Sequence, residues 1–199
     1  MDVPDGSSIP DVSAPLPTGP AKAAAVRSMF DAIAPRYDVV NRIMTFRLDV
    51  AWRRRTVRRL DLPAGSLVLD LACGTGDLCR DLDRAGMAPV GMDLSWGMLA
   101  AARTEAPLVH ADALRLPVAD GSADGVTCGF ALRNLTGLEP FFAELARALR
   151  PGGVVIHDQD MKVDHALRDD HINYGVPFGS LVNEATDNAK LKKKVVNMI

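Results

Sequence analysis

Short apolar runs alternate with stretches of helical periodicity through the middle of the chain. The apolar runs predict five strands, at residues 67–71, 88–93, 107–110, 125–130 and 154–156. Helices are predicted near 76–85, from an N-cap at Ser95, and over 139–149, where Pro140 lies in the first turn. Near-continuous apolar strands separated by helices predict an α/β fold, a mostly parallel sheet with helices on both faces. Such sheets bind ligands at the carboxyl ends of their strands.

The N-terminal part of the chain has a different pattern. Five prolines among serine, aspartate and glycine predict a disordered arm over residues 1–20, because such a stretch cannot bury a core. From Ala21 the apolar side chains share one helical face, and Pro35 ends the run. An arginine-rich helical region follows at about 37–60. We therefore expect a helical cap over 21–60 and an α/β core over 61–160.

Composition narrows the class of protein. The chain has 199 residues, a formal charge of −2, 48% hydrophobic and 24% charged residues, as in one soluble globular domain. No apolar run approaches the ~20 residues of a transmembrane helix. Three cysteines and four histidines show no metal-ligand spacing, so we expect no metal site and a reduced, cytoplasmic setting. A near-neutral charge without an aromatic-rich basic motif argues against nucleic acid as a partner.

A glycine turn follows the first predicted strand, in the segment Asp70-Leu71-Ala72-Cys73-Gly74-Thr75-Gly76-Asp77. Gly74 and Gly76 allow a tight turn and a close approach of the backbone to a ligand. Asp93 ends the second strand, 17 positions after Gly76, where its carboxylate can accept both hydroxyls of a ribose. The pattern favours a nucleotide-like cofactor, and a purely structural turn is the alternative.

Two kinds of nucleotide-like cofactor are compatible with this turn. A dinucleotide prefers a third glycine, but Cys79 takes that position, and Asp77 at the helix N-terminus would repel a pyrophosphate. A phosphate-free ligand with a positive centre fits better, because Asp70 and Asp77 then lie beside a cation. S-adenosyl-L-methionine has this character. After the third strand, Asp112 can accept a hydrogen bond from the adenine amino group, beside the Ala113 backbone.

Further segments carry a resemblance to a known family: Met29 to Asn41 with Trp52-Arg53, Gly129 to Asn134, and Leu149 to Gly153. Over residues 26–156 the chain resembles the demethylmenaquinone/ubiquinone-biosynthesis C-methyltransferases, which are class I S-adenosylmethionine-dependent enzymes. The resemblance implies a Rossmann-like, cofactor-binding fold for the core. It also implies cofactor contacts from the residues that match the family's own, here Thr75, Asp93, Asp112 and Ala113. The turn adds Asp70, Gly74 and Gly76 to this predicted cofactor site.

By the same resemblance, the reaction moves a methyl group from the sulfonium to a ring carbon of a reduced quinone. The enzyme must then stabilise a developing phenolate. Arg133 is the candidate for this task, since arginine stays charged and suits an anion better than it suits base catalysis. Tyr37 and Asn41 are candidates for orienting the ring hydroxyls. A structural salt bridge is the alternative for Arg133, and packing is the alternative for Tyr37 and Asn41.

Several positions depart from the family pattern. Thr45 replaces a usual Ser, Asp49 stands where many members have His, Gly129 replaces a Ser and Ala131 a Gly. We expect Asp49 to be a solvated surface carboxylate rather than a base. The arginine run at 53–59 either faces anionic lipid, which suits a prenylated substrate, or forms a solvated helix face.

The last 43 residues, 157–199, differ in residue choice from the rest of the chain. One Lys accompanies 16 Arg before residue 157, whereas five Lys accompany one Arg after it. Class I methyltransferases usually end in an antiparallel hairpin, and no convincing pair of strands is visible here. We therefore expect an atypical tail over 161–199 and a hairpin that is missing or altered. If no hairpin exists, we expect the fifth strand to be left as an open edge.

The sequence thus predicts an S-adenosyl-L-methionine-dependent C-methyltransferase of menaquinone or ubiquinone biosynthesis, with a prenylated quinol as substrate. The alternatives are a methyltransferase of the same fold acting on another small molecule, and a truncated chain that binds the cofactor without turnover. Further expectations are a homodimer and a cytoplasmic location with peripheral contact at the inner face of the membrane.

Overall fold

The computed structural model describes residues 17–45, 48–158 and 172–176. Most of the predicted arm at 1–20 and most of the predicted tail at 161–199 lie outside these ranges. Helices of the cap are α1, Gly19–Ile33, α2, Tyr37–Met44, and α3, Leu48–Leu60, with a 3-10 turn, Ala34–Arg36, after α1. Helix α1 begins two residues before its predicted start because Pro20 occupies the first turn, where a missing amide is tolerated.

The α/β core follows as predicted, with strand bounds that shift by a few residues. Its helices are α4, Asp77–Arg84, α5, Trp96–Ala100, and α6, Leu138–Ala148. A second 3-10 turn, Leu132–Asn134, precedes α6. Its strands are β1, Leu67–Leu71, β2, Ala88–Asp93, β3, Leu108–His110, β4, Ala123–Cys128, β5, Leu149–Asp158, and β6, Ile172–Val176.

The described strands form one sheet in the order β3-β2-β1-β4-β5-β6, and all neighbouring strands pair in parallel. The order of the chain reverses between β1 and β4, which defines a switch point at the carboxyl ends of these strands. The arrangement confirms the predicted α/β class and the mostly parallel sheet.

Strand β6 is the element that the sequence pattern does not predict. It pairs in parallel with β5, from Val154↔Ile172 to Asp158↔Val176. The expectation that β5 is an open edge is therefore wrong, because β6 lies along it. Isoleucine, tyrosine and valine give the segment strand propensity. A parallel strand is not joined to its partner by a tight turn, however, so the sequence carries no hairpin signal. The predicted change to the C-terminal hairpin falls on residues outside those described.

Alternate side chains of β1 point to opposite faces of the sheet, and each face has its own core. Leu69 and Leu71 belong to the core under α6, whereas Val68 belongs to the core under α3 and α4. Helices therefore cover both faces of the sheet, as predicted. Asp70 lies on the same face of β1 as Val68. It points towards α4, where it accepts a hydrogen bond from Cys79.

Candidate cofactor and substrate site

The carboxyl ends of β1 to β4 open into a cavity of about 880 Å³, its open mouth included. Loops after these strands line the cavity together with side chains of the cap, among them Val26 and Phe30. Folds of this kind bind small molecules in such a concave, mostly apolar site at the carboxyl ends of the strands. Five of the predicted site residues line it: Tyr37, Gly74, Asp93, Asp112 and Ala113.

Two backbone amides hold the carboxylate of Asp93 at the cavity. The Gly74 N–H donates to Oδ2 and the Ser95 N–H donates to Oδ1, each at 2.8 Å. Burial raises the pKa of the Asp93 carboxyl above its ordinary value, although the two amides oppose the shift. Each carboxylate oxygen keeps a further lone pair for a ligand. The group can therefore accept hydrogen bonds from two neighbouring hydroxyls, as the predicted ribose-binding role requires.

The turn after β1 has left-handed backbone at Ala72, Gly74 and Gly76, with φ of 52°, 56° and 78°. At Gly76 space is also short, because a Cβ there would lie 2.6 Å from Thr104 Cγ2. Conformation thus favours glycine at Gly74, and conformation and lack of space together require it at Gly76. Since Asp93 accepts the Gly74 amide, the turn and the carboxylate form one hydrogen-bonded unit.

Polar side chains tie the helical cap to this unit. Thr75 Oγ1 donates to Asp38 Oδ1 of α2 at 2.5 Å. Asp31 Oδ1 of α1 accepts from Ser95 Oγ at 2.5 Å and from the Gly97 N–H at 2.9 Å. Thr75 is buried and its hydroxyl proton is already donated. The structure therefore places this predicted cofactor residue in a contact between the cap and the turn.

Asp70 lies almost fully buried behind the turn and is not part of the cavity wall. Thr127 Oγ1 donates to Oδ1 at 2.8 Å and Cys79 Sγ donates to Oδ2 at 3.4 Å. Burial raises the pKa of the Asp70 carboxyl to about 7, and the two donors oppose the shift only in part. A hydrogen bond with Cys73, together with burial, raises the pKa of Cys79, which therefore stays a neutral donor.

The raised pKa of Asp70 predicts a stability that falls as the pH rises. The carboxyl has a pKa of about 7 when folded and an ordinary value of 3.8, so the folded chain holds an extra proton between these values. The stability that protonated Asp70 contributes is fully present below about pH 4 and is lost as the pH rises through about 7. The loss is on the order of 4 kcal/mol, at ~1.4 kcal/mol for each pH unit. Asp70→Asn, which cannot ionise, should lack this component.

Urea denaturation between about pH 5 and about pH 8 measures this difference. We expect the free energy of unfolding of Asp70→Asn to rise relative to that of the wild type across this range. Asp83→Asn, at an exposed position of α4, is the control and should keep a constant offset. An equally constant offset for Asp70→Asn would contradict the assignment.

Tyr37 lies at the cavity, edge-on to Phe30 with ring centroids 6.0 Å apart. Burial raises the pKa of its phenol, although the positive charge of Arg133 opposes the shift. Arg133 is exposed in the 3-10 turn after β4, and its carbonyl accepts from Lys22 Nζ of α1 at 2.9 Å. Asn41 follows Tyr37 by one turn of α2 and is half-buried. Neither Arg133 nor Asn41 lines the cavity itself.

Six residues after β4 line the cavity and are missing from the predicted site, and two of them stand out, Asn134 and Phe130. Asn134 lines the cavity directly beside Arg133, and an amide next to a candidate catalytic arginine was a usable sequence signal. Phe130 lines the cavity with a left-handed backbone, at φ 59°. Such a conformation is uncommon for a bulky residue and is often found at functional sites. Nothing in the sequence signals it.

The ring of Trp52 explains the departure at Gly129. A Cβ at Gly129 would lie 2.5 Å from Trp52 Cη2. Trp52 is buried and packs on Phe130, with ring centroids 4.7 Å apart. A serine, as in the family pattern, does not fit beside this ring unless the ring moves. Helix α3 thus shapes the cavity wall through one aromatic side chain.

Asp49 is the clearest correction to the sequence predictions, because it is 1% exposed and not a solvated surface carboxylate. Thr45 Oγ1 donates to its Oδ1 at 2.9 Å and Arg53 Nη1 donates to its Oδ2 at 2.7 Å. Arg53 also pairs with Asp77 at 3.3 Å and with Asp81 at 3.1 Å. Asp77 therefore pairs with arginine side chains of α3 and α4. The arginine run at 53–59 is not one exposed face, since Arg53 is buried.

The amino-acid sequence matches the ubiE/COQ5 methyltransferase family over residues 19–169. The chain belongs to this family. Membership confirms the resemblance predicted from the glycine turn and the segments around Tyr37, Arg133 and Gly152. It also confirms S-adenosyl-L-methionine, the predicted cofactor, as the cofactor of this family.

Curated relatives named demethylmenaquinone methyltransferase are similar to the chain. The protein of Corynebacterium urealyticum is 45% identical over 129 residues, which are 64% of this chain and 56% of the relative. The protein of Desulfitobacterium hafniense is 39% identical over 152 residues, which are 70% of this chain and 60% of the relative. The chain thus spans somewhat more than half the length of these relatives.

Solved structures share the fold. The [4+2]-cyclase SpnF superposes with a TM-score of 0.60 at 21% identity, covering 78% of this chain and 66% of that one. A putative S-adenosyl-L-methionine-dependent methyltransferase of Methanococcus maripaludis gives 0.57 at 17% identity, covering 64% of each chain. These likenesses confirm the Rossmann-like fold alone. The cyclase illustrates that this fold also hosts other reactions.

The described ranges contain neither a helix long and apolar enough to cross a bilayer nor a group of three or more His, Cys, Asp or Glu side chains arranged for a metal ion.

Proposed function

We propose that the chain is an S-adenosyl-L-methionine-dependent C-methyltransferase that acts on a reduced, prenylated quinone of the demethylmenaquinone type. The observation that carries the proposal is the Asp93 carboxylate, held by the Gly74 and Ser95 amides at the cavity where the strands β1 to β4 end. Family membership and relatives named demethylmenaquinone methyltransferase support the reaction class. A ubiquinone-type ring is the second substrate to test.

The cavity residues fit this cofactor. Asp93 has lone pairs for two ribose hydroxyls. Asp112 Oδ1 accepts the Leu114 N–H at 2.9 Å, which leaves Oδ2 for the adenine amino group. Met98, Ala113 and Leu114 give the cavity apolar walls that suit the faces of a purine. When bound, the sulfonium of the cofactor supplies an electrophilic methyl group.

We assign the substrate side to Tyr37, Asn41 and Arg133. The raised pKa of Tyr37 keeps its phenol protonated near neutrality, so that it can donate a hydrogen bond to a quinol oxygen. Arg133 stays cationic and would stabilise the phenolate that develops as the ring carbon attacks. Asn41, one turn after Tyr37, would orient the second hydroxyl. The electrostatic effect of Arg133 on Tyr37 supports this grouping.

The proposal extends to the place of action. A prenylated quinol resides in a bilayer, so we propose a cytoplasmic enzyme that works at the inner face of the membrane. A homodimer stays a prediction, and analytical ultracentrifugation of the purified chain measures it.

Incubating the purified chain with methyl-labelled S-adenosyl-L-methionine and a reduced demethylmenaquinone analogue tests the function. We expect label in the ring carbon, and calorimetric titration should show cofactor binding. Arg133→Met should lower turnover about 100-fold and change cofactor affinity by less than about twofold, because it removes a group that acts on the phenolate. Arg59→Met, at an exposed position of α3, is the matched control.

Each negative result of these two measurements contradicts a different part of the proposal. Cofactor binding without label transfer to either quinol would contradict the enzyme proposal and favour a chain that binds the cofactor only. Transfer to another small molecule would replace the substrate class. An absence of cofactor binding would overturn the cofactor site as well.

A further inference from the structure

We propose that the outer face of α1 and α2 is a docking surface for a bilayer that contains anionic lipid. The proposal rests on the proposed function for its purpose, since a prenylated quinol is delivered from a bilayer. Its physical basis is independent of turnover and lies in the exposed side chains of these two helices.

The apolar part of this surface is unusually exposed. On α2, Val39 is 62% exposed, Val40 47% and Ile43 68%. These positions are three or four residues apart from Ile43 and form one stripe of the helix. On α1, Met29 is 49% exposed and Ile33 42%, again four residues apart. Apolar side chains grouped in this way on a surface mark a site of interaction.

The charged residues of α1 and α2 indicate what kind of partner this surface binds. Asp31 and Asp38 are the acidic residues of α1 and α2. The core already holds both, through Ser95 and Gly97 for Asp31 and through Thr75 for Asp38. Both carboxylates therefore already accept hydrogen bonds from the core, although Asp31 itself stays exposed.

The basic groups beside the apolar stripe are held less closely by the protein than these carboxylates. Arg36 immediately precedes α2 and is exposed. Arg42 lies beside Ile43, with 45% of its side chain exposed and a long 3.8 Å pair to Asp77. An apolar stripe flanked by cations matches the interface of an anionic bilayer, where the apolar side chains insert and the cations meet headgroups.

A second copy of the chain matches this surface less well. A two-fold interface would place the same patch against itself. Arg36 and Arg42 of both copies would then be gathered at one interface, where Asp31 and Asp38 already accept hydrogen bonds within their own chain. Like charges at an interface oppose association, so we favour the bilayer over the dimer at this face.

The position of the surface relative to the cavity fits delivery from a bilayer. Phe30 of α1 and Tyr37 of α2 line the cavity, while Met29 and Val39, close to them in sequence, are exposed. One helix pair therefore connects the proposed site with the docking face. Trp96 of α5, 66% exposed, precedes Gly97, which binds α1, and tryptophan is enriched at membrane interfaces.

Flotation of the full chain with lipid vesicles tests the proposal. We expect binding to phosphatidylglycerol–phosphatidylcholine vesicles, weaker binding at high salt, and little binding to phosphatidylcholine alone. The double variant Val39→Ser, Ile43→Ser should lower the partition coefficient by about tenfold or more. Arg36→Gln with Arg42→Gln should remove most of the preference for anionic vesicles.

The controls separate this proposal from its rivals. Arg54→Gln with Arg58→Gln, at exposed positions of α3, should leave vesicle binding unchanged. Cofactor titration of every variant should match the wild type, which shows an intact fold. Loss of binding in the α3 variant alone, or dimerisation through α2 without vesicle binding, would overturn the proposal. Because flotation needs neither cofactor nor quinol, its result is independent of methyl transfer.

Discussion

Replacing Asp93 with asparagine is expected to weaken the binding of S-adenosyl-L-methionine about 100-fold. The carboxylate accepts the Gly74 and Ser95 amides at 2.8 Å, one on each oxygen. An asparagine can offer only one acceptor oxygen, so its NH₂ group must face one of these two N–H donors. The substitution therefore removes a charged acceptor from the ribose and also loosens the glycine turn. Hydrogen bonds to a charged group contribute about 1.5–3 kcal/mol each, and 1.4 kcal/mol corresponds to a factor of about ten.

Calorimetric titration of the purified variant measures this loss. Asp83→Asn carries the same chemical change at an exposed position of α4 and should bind the cofactor like the wild type. Asp112→Asn should have a smaller effect than Asp93→Asn, because Asp112 is exposed at the edge of the cavity. An affinity of Asp93→Asn within about threefold of the wild type would remove Asp93 from the cofactor site, since a lost charged hydrogen bond should cost more than that.

Local sequence patterns were enough to predict that Gly74, Asp93, Asp112 and Ala113 lie at one cavity. The turn after β1 favours glycine at Gly74 and requires it at Gly76, and both glycines are visible in the sequence. The carboxyl ends of parallel strands meet at one edge, so residues that follow β2 and β3 come to the same cavity without further information. Asp93, Asp112 and Ala113 are placed at the cavity for this reason.

Side-chain partners from distant elements could not be predicted in the same way. From the sequence, Asp49 is predicted to be a surface carboxylate, because nothing local shows that Arg53 is buried and pairs with it. Only the packing of α3 against α4 buries the pair. Thr75 likewise has the sequence position of a cofactor ligand, yet α2 supplies Asp38 for its hydroxyl. Periodicity reports which face of a helix is apolar, not which polar group another helix brings to it.

Removing the guanidinium of Arg53 is expected to cause a large loss of stability. Arg53 Nη1 lies 2.7 Å from Asp49 and 3.3 Å from Asp77, and Nε lies 3.1 Å from Asp81. Burial disfavours the charge on Arg53, but these carboxylates outweigh the cost and raise its pKa. Arg53→Met would leave Asp49 buried with Thr45 alone, and breaking a buried pair in this way costs about 3–5 kcal/mol.

Denaturant unfolding of four proteins checks the origin of this loss. Arg54→Met changes the neighbouring, exposed arginine and should shift the free energy of unfolding by less than about 0.5 kcal/mol. Asp49→Asn in the Arg53→Met background should recover part of the stability, because it neutralises the carboxylate that has lost its partner. If the double variant is no more stable than Arg53→Met, the cost does not arise from the buried charge of Asp49. Arg53 would then stabilise the fold through Asp77 and Asp81, which attach α3 to α4 next to the glycine turn after β1.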